Sequence, residues 1–135
     1  MNKVIIVLVA VVMTACGTTD EVIGQDKEQA IRDFIAVRQL PEVDKIRTAS
    51  QDSFKEIDAW FVIYKTRKDA YLFEFARACY ELINDEIVAD QRWGGNTIRA
   101  RFDTLRGCRI NQIYALTEAE LVELEDIGES PGSRN

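Results

Sequence analysis

An unbroken apolar run comes first along the chain. Behind Lys3, residues 4–15 carry Ile5, Ile6, Val7, Leu8, Val9, Val11, Val12 and Met13 without a charge. As a helix rising about 1.5 Å per residue it spans about 18 Å, short of the roughly 30 Å core of a bilayer. A positive end, a short apolar stretch and the small residues that follow predict a secretory signal over residues 1–15. The alternative is a buried core helix, but a segment apolar on every side and followed at once by Gly17, Thr18, Thr19 and Asp20 fits a small core poorly.

Residues 17–25, with Asp20, Glu21 and Gly24, read as an extended polar tether able to reach about 30 Å. From residue 26 the spacing turns helical: Ile31, Phe34 and Ile35 fall on one face while Lys27, Glu28, Arg32, Asp33 and Arg38 point elsewhere. Pro41 is expected to stop this amphipathic helix. Beyond it the period becomes two. Residues 43–48 predict a short strand and residues 59–66, with Trp60, Phe61, Val62, Ile63 and Tyr64, a stronger one. A charged turn leads into residues 71–75, where Tyr71, Phe73 and Phe75 share a face, so the pair reads as a β-hairpin. A second hairpin is expected with arms at 85–90 and 97–103, turning through 91–96, with Ile98, Ala100 and Phe102 inward and Arg99 and Arg101 in water. Residues 108–116 predict a last strand. Thr117-Glu118-Ala119-Glu120 is a capping-box pattern that starts a closing helix through Leu121, Val122 and Leu124.

The resulting fold class is α+β: a small twisted antiparallel sheet of about five strands, with an N-terminal amphipathic helix and a short C-terminal one. At 135 residues, one core is expected, over residues 26–127, with 128–135 as a frayed tail. Composition narrows the chemistry. A formal net charge of -6 and a pI near 4.7 argue against a nucleic-acid partner. Histidine is absent, which removes the commonest general base and transition-metal ligand.

Met13-Thr14-Ala15-Cys16 resembles a bacterial lipobox, in which small residues precede a cysteine that is acylated and freed by cleavage. Met13 departs from the usual leucine. The resemblance implies that Cys16 is the first residue of a mature lipoprotein held on a bilayer by its acyl chains, each buried methylene adding about 0.8 kcal/mol. Gly17 behind the cysteine implies the outer membrane, facing the periplasm. With Cys16 given to lipid, Cys79 and Cys108 remain as an even pair in an oxidising space, and a disulfide is expected between them; the alternative is two unrelated buried thiols. Tyr71-Leu72-Phe73-Glu74-Phe75 leading to Cys79, then residues 101–110 (RFDTLRGCRI) and Ile113-Tyr114, resemble a family of small bacterial envelope lipoproteins known as a domain of unknown function. That resemblance implies an envelope protein and hands over no catalytic residues.

Three features invite a site. Arg92 and Trp93, at the expected tip 91–96, could stack on a sugar or hold an anion, though Gly94, Gly95 and Asn96 are also ordinary turn residues. Asp103 could act as a base if burial raised its pKa; the plainer reading has it bonding the amides of the following turn. Asn84, Asp85 and Glu86 lack the alternation of a calcium loop, and no metal or cofactor is expected. Glu118, Glu120, Glu123, Glu125, Asp126 and Glu129 read as a solvated helix face. The leading functional expectation is a non-enzymatic accessory lipoprotein with a protein or cell-wall partner. A binder of small ligands or glycans, using Tyr64, Tyr71, Phe73 and Trp93 on an open sheet face, comes second, and an Asp/Glu hydrolase third.

Overall fold

The computed structural model describes residues 19–49, 52–80 and 96–129, with side chains from Lys27 onward. The expected signal segment, the first arm and tip of the second hairpin, and residues 130–135 lie outside them. Helix α1 spans Thr19–Arg38, so residues 19–25 of the expected tether are helical. No proline interrupts the chain before Pro41, Gly24 alone costs only about 1 kcal/mol, and Asp20 and Glu21 sit where the helix dipole favours negative charge. The helix ends before Pro41, in a motif of its own. Gln39 takes φ 49°, its N–H reaches Ala36 O, and the Leu40 N–H reaches back to Ile35 O. This is a Schellman cap, and its Leu40 and Ile35 belong to one apolar cluster.

Among the described residues seven strands follow: β1 (Lys45–Arg47), β2 (Ser53–Asp58), β3 (Phe61–Lys65), β4 (Ala70–Phe75), β5 (Thr97–Arg99), β6 (Thr104–Leu105) and β7 (Cys108–Leu116). Helix α2 spans Glu118–Gly128. The main sheet is antiparallel in the order β2-β3-β4-β7-β6, and β1 and β5 form a separate two-stranded ribbon. The main sheet has five strands, but not the five expected: β2 and β6 fall where no strand was expected, 43–48 and 97–103 supply the separate ribbon, and 85–90 lies outside the described residues. The two sheets join at one edge. Val43 N–H reaches Ile113 O, Ala115 N–H reaches Pro41 O and Arg101 N–H reaches Ile110 O, so the ribbon curls over one face of the sheet.

Four successive residues of β3, Phe61 to Tyr64, are buried because both faces of the sheet are covered. Val62 and Tyr64 point into an inner cluster with Ile46, Phe73, Phe75, Ile98, Ile110 and Ile113, under the ribbon. Phe61 and Ile63 point the other way, to Ile31, Phe34, Leu72 and Leu124 beneath the helices. The alternation of Tyr71, Phe73 and Phe75 is as expected, with all three on the inner cluster.

The return arm at 97–103 is shorter than expected. It breaks after Arg99, where Phe102 and Asp103 N–H both turn back to Arg99 O and Arg101 takes φ 69°. That reversal resets the period of two, so Ile98 and Ala100 are buried but Phe102, expected inward, is 75% exposed. At the other end the capping box forms as read: Thr117 Oγ1 accepts from Glu120 N–H and the Glu120 carboxylate accepts from Thr117 N–H. Gly128, expected to fray, is instead a buried part of α2. It lies so close to Ile57 that a Cβ would stand 2.6 Å from Ile57 Cγ2, and its carbonyl accepts from Lys27 Nζ at 2.9 Å. The acidic run of α2 is not wholly solvated either: Glu123 pairs with Arg38, Glu125 with Lys65 and Glu129 with Lys55.

Candidate functional site

Cys79 follows β4 and Cys108 opens β7, neighbouring strands of the sheet. They are bonded, with Cα atoms 5.8 Å apart, and both are fully buried in the inner cluster with Ile46, Phe75, Ile98 and Leu105. The bridge therefore ties the connection carrying β5 and β6 to the sheet at both its ends. Around it the backbone is closely held: Cys79 N–H reaches Ala59 O at 2.7 Å and Ala76 N–H reaches Arg109 O at 2.9 Å. Arg106 and Gly107, at φ 46° and 84°, make the two-residue hairpin turn that brings Cys108 back antiparallel to Leu105.

Asp103 belongs to this end of the molecule as a turn residue. Its Oδ2 accepts from Arg99 N–H at 2.7 Å and faces Arg99 Nε at 3.4 Å, while its carbonyl accepts from Ile110 N–H. The amide it holds precedes it, where the sequence reading expected the following turn, because the chain reverses before Asp103. Arg92, Trp93 and Cys16 lie outside the described residues. Of the aromatic set, Tyr64 and Phe73 stack on each other, centroids 4.9 Å apart and planes 9° off parallel, both buried in the inner cluster. Tyr64 Oη donates to Asp52 Oδ2 at 3.0 Å, and burial together with that carboxylate pushes the phenol well above its usual range.

Two constellations were not singled out from sequence. The first lies between α1 and the sheet. Arg32 NH1 donates to Glu74 Oε1 at 2.7 Å and Arg32 Nε to Glu28 Oε1 at 2.9 Å, and the guanidinium lies over the rings of Phe61 and Trp60, 5.2 and 5.7 Å from their centroids. Tyr114 Oη donates to Glu74 Oε2 at 3.3 Å, and burial with the nearby Glu74 charge pushes its pKa up to about 12. Both Glu74 oxygens are thus engaged, and the group acts as a polar tie between helix and sheet. Close by, burial raises the Asp58 carboxyl above its ordinary range. Glu28 adds to that rise, while the Trp60 amide it accepts, Lys27 and Arg32 work against it.

The second is the outer face of the β1–β5 ribbon. The register sets Lys45 opposite Arg99 and Arg47 opposite Thr97, with Ile46 and Ile98 turned inward. Lys45, Arg99, Arg101 and the exposed Phe102 line a shallow groove of about 240 Å³ with Asp44 and Ala100. The alternation Lys45-Ile46-Arg47 shows each strand's wet side, but nothing in the sequence shows that these two strands pair.

Among the described residues no helix is long and apolar enough to cross a membrane, and no group of three or more Cys, Asp or Glu side chains is arranged to hold a metal ion. The description "Family of unknown function (DUF6491)" belongs to a family whose pattern matches residues 1–128. No curated protein and no solved structure matches the chain.

Proposed function

The chain belongs to this family of unknown function, and from that premise we propose that it is an envelope lipoprotein, acylated on Cys16 and acting as an accessory module at the membrane surface. The observation that carries the reading is the Cys79–Cys108 bridge. Stable disulfides belong to oxidising compartments, and this one leaves Cys16 as the single remaining cysteine, directly behind Met13-Thr14-Ala15. The apolar run 4–15 supplies the export signal, and Gly17 favours the outer membrane over the inner. An accessory role rather than catalysis is supported by the way the carboxylates are used: Asp103 holds its own turn and Glu74 is taken by Arg32 and Tyr114.

Cells fed an alkyne-tagged fatty acid should label the wild-type chain in the membrane fraction, and C16S should lose the label. A wild-type chain that stays unlabelled and soluble would refute the anchor. For the accessory role, cross-linking in intact cells at native expression should trap one dominant envelope protein or cell-wall partner, and trapping none would count against it.

A further inference from the structure

Most cations on the helix-covered side are matched: Arg32 to Glu28 and Glu74, Arg38 and Lys65 to glutamates of α2, and Lys55 to Glu129 at its C-cap. The ribbon is different. Lys45 and Arg47 point outward with no ion-pair partner among the described residues. Lys45 stands directly across from Arg99, and like charges in facing positions weaken a strand pair. Among the described residues two carboxylates are near. Asp44, its side chain 96% exposed, lies 3.8 Å from Arg101, and Asp103 is committed to Arg99 within its turn. Among the described residues, four cations against two carboxylates leave the face net positive on a chain whose overall charge is -6. Phe102 projects into the same groove with the Arg99 guanidinium 5.6 Å from its ring centroid.

An aromatic ring exposed among basic side chains is the composition that seats at a bilayer interface, the ring at headgroup level and the cations on phosphates. We propose that the outer face of the β1–β5 ribbon, through Lys45, Arg47, Arg99, Arg101 and Phe102, docks the domain on the phosphate headgroups of an anionic bilayer. This deepens the lipoprotein reading and rests on it for keeping a bilayer within reach. The acyl chains hold the protein at the membrane, and the ribbon sets which way the domain faces.

The test uses the full chain as C16S, so that no acyl chain contributes, and follows flotation with phosphatidylglycerol-rich or pure phosphatidylcholine vesicles. Any insertion of the apolar segment 4–15 is common to every variant. The chain should prefer the phosphatidylglycerol vesicles, and K45Q/R47Q should weaken that binding about thirtyfold, at about fivefold for each basic residue removed. R67Q/K68Q removes the same charge from the exposed β3–β4 turn. Ala70 beside that turn pairs with Leu116, six residues along β7 from the Ile110 carbonyl that Arg101 binds, about 20 Å at about 3.3 Å per residue. This variant should therefore leave binding within about threefold, exposed charges beyond a Debye length being screened. F102A should also weaken binding. Equal losses in the two double variants, or no preference for phosphatidylglycerol, would overturn the proposal, the latter leaving an acidic protein surface as the ribbon's partner. Fatty-acid labelling of the wild type is scored separately, so failure of the anchor and failure of the ribbon are told apart.

Discussion

Gln39 is, with Arg101 and Arg106, one of three described non-glycine residues at positive φ. At φ 49° it sits in the left-handed region, where any residue with a Cβ is strained and glycine is not. Q39G should therefore stabilise the fold by about 1 kcal/mol, less the extra freedom glycine gains in the unfolded chain; a lower urea midpoint than wild type would contradict the cap. Asp58 makes a pH-dependent counterpart. Its folded pKa is raised above the ordinary 3.8, chiefly by burial, so the stability it contributes is fully present below the unfolded value and lost as pH rises through the folded one. D58N should then be the more stable protein at neutral pH, and its advantage should shrink as the solution is acidified through the carboxyl range. A D58N that is less stable than wild type at neutral pH would mean that the attraction of Lys27 and Arg32 outweighs burial.

At the scale of elements, α2 is fixed at both ends by different physics. Its start is local, and T117A should cost about 1 kcal/mol by removing the capping box. Its end is tertiary, since G128A would place a methyl group against the stiff Ile57 side chain and should cost about 1–3 kcal/mol by overpacking. Thermal unfolding of the two variants checks both, and a neutral G128A would show that Ile57 can yield. The same division explains what could be read in advance. Strand β7 and the box before α2 were legible because alternation and capping are local signals. Strand β2 was not, because in Ser-Phe-Lys-Glu-Ile-Asp only Ile57 is buried, and the two residues of β6 are too few to carry a period. Phe102 was misplaced for a reason the alternation cannot contain, the left-handed turn at Arg101. Of the sites, the cysteine pair could be reached by elimination. The ribbon's basic face could not, because each strand shows its wet side but not its partner.

For the whole molecule, the bridge is the strongest single constraint. With 29 residues of separation between Cys79 and Cys108, the chain-entropy argument assigns it about 3.5 kcal/mol, a large part of what a domain of this size possesses. C79A/C108A should lose roughly that much in a urea titration, and the cavity left in the inner cluster can only add to it. On the proposed reading, export, anchoring and folding meet in how the three cysteine sulfurs are used, two in the core and one on lipid. Intact mass of the membrane-extracted protein, alkylated before and after reduction, reads all three together. The account predicts a chain starting at Cys16, heavier by its acyl groups, that takes up alkyl groups on Cys79 and Cys108 only once reduced. A chain still carrying Met1, with all its thiols open to alkylation without reduction, would contradict it.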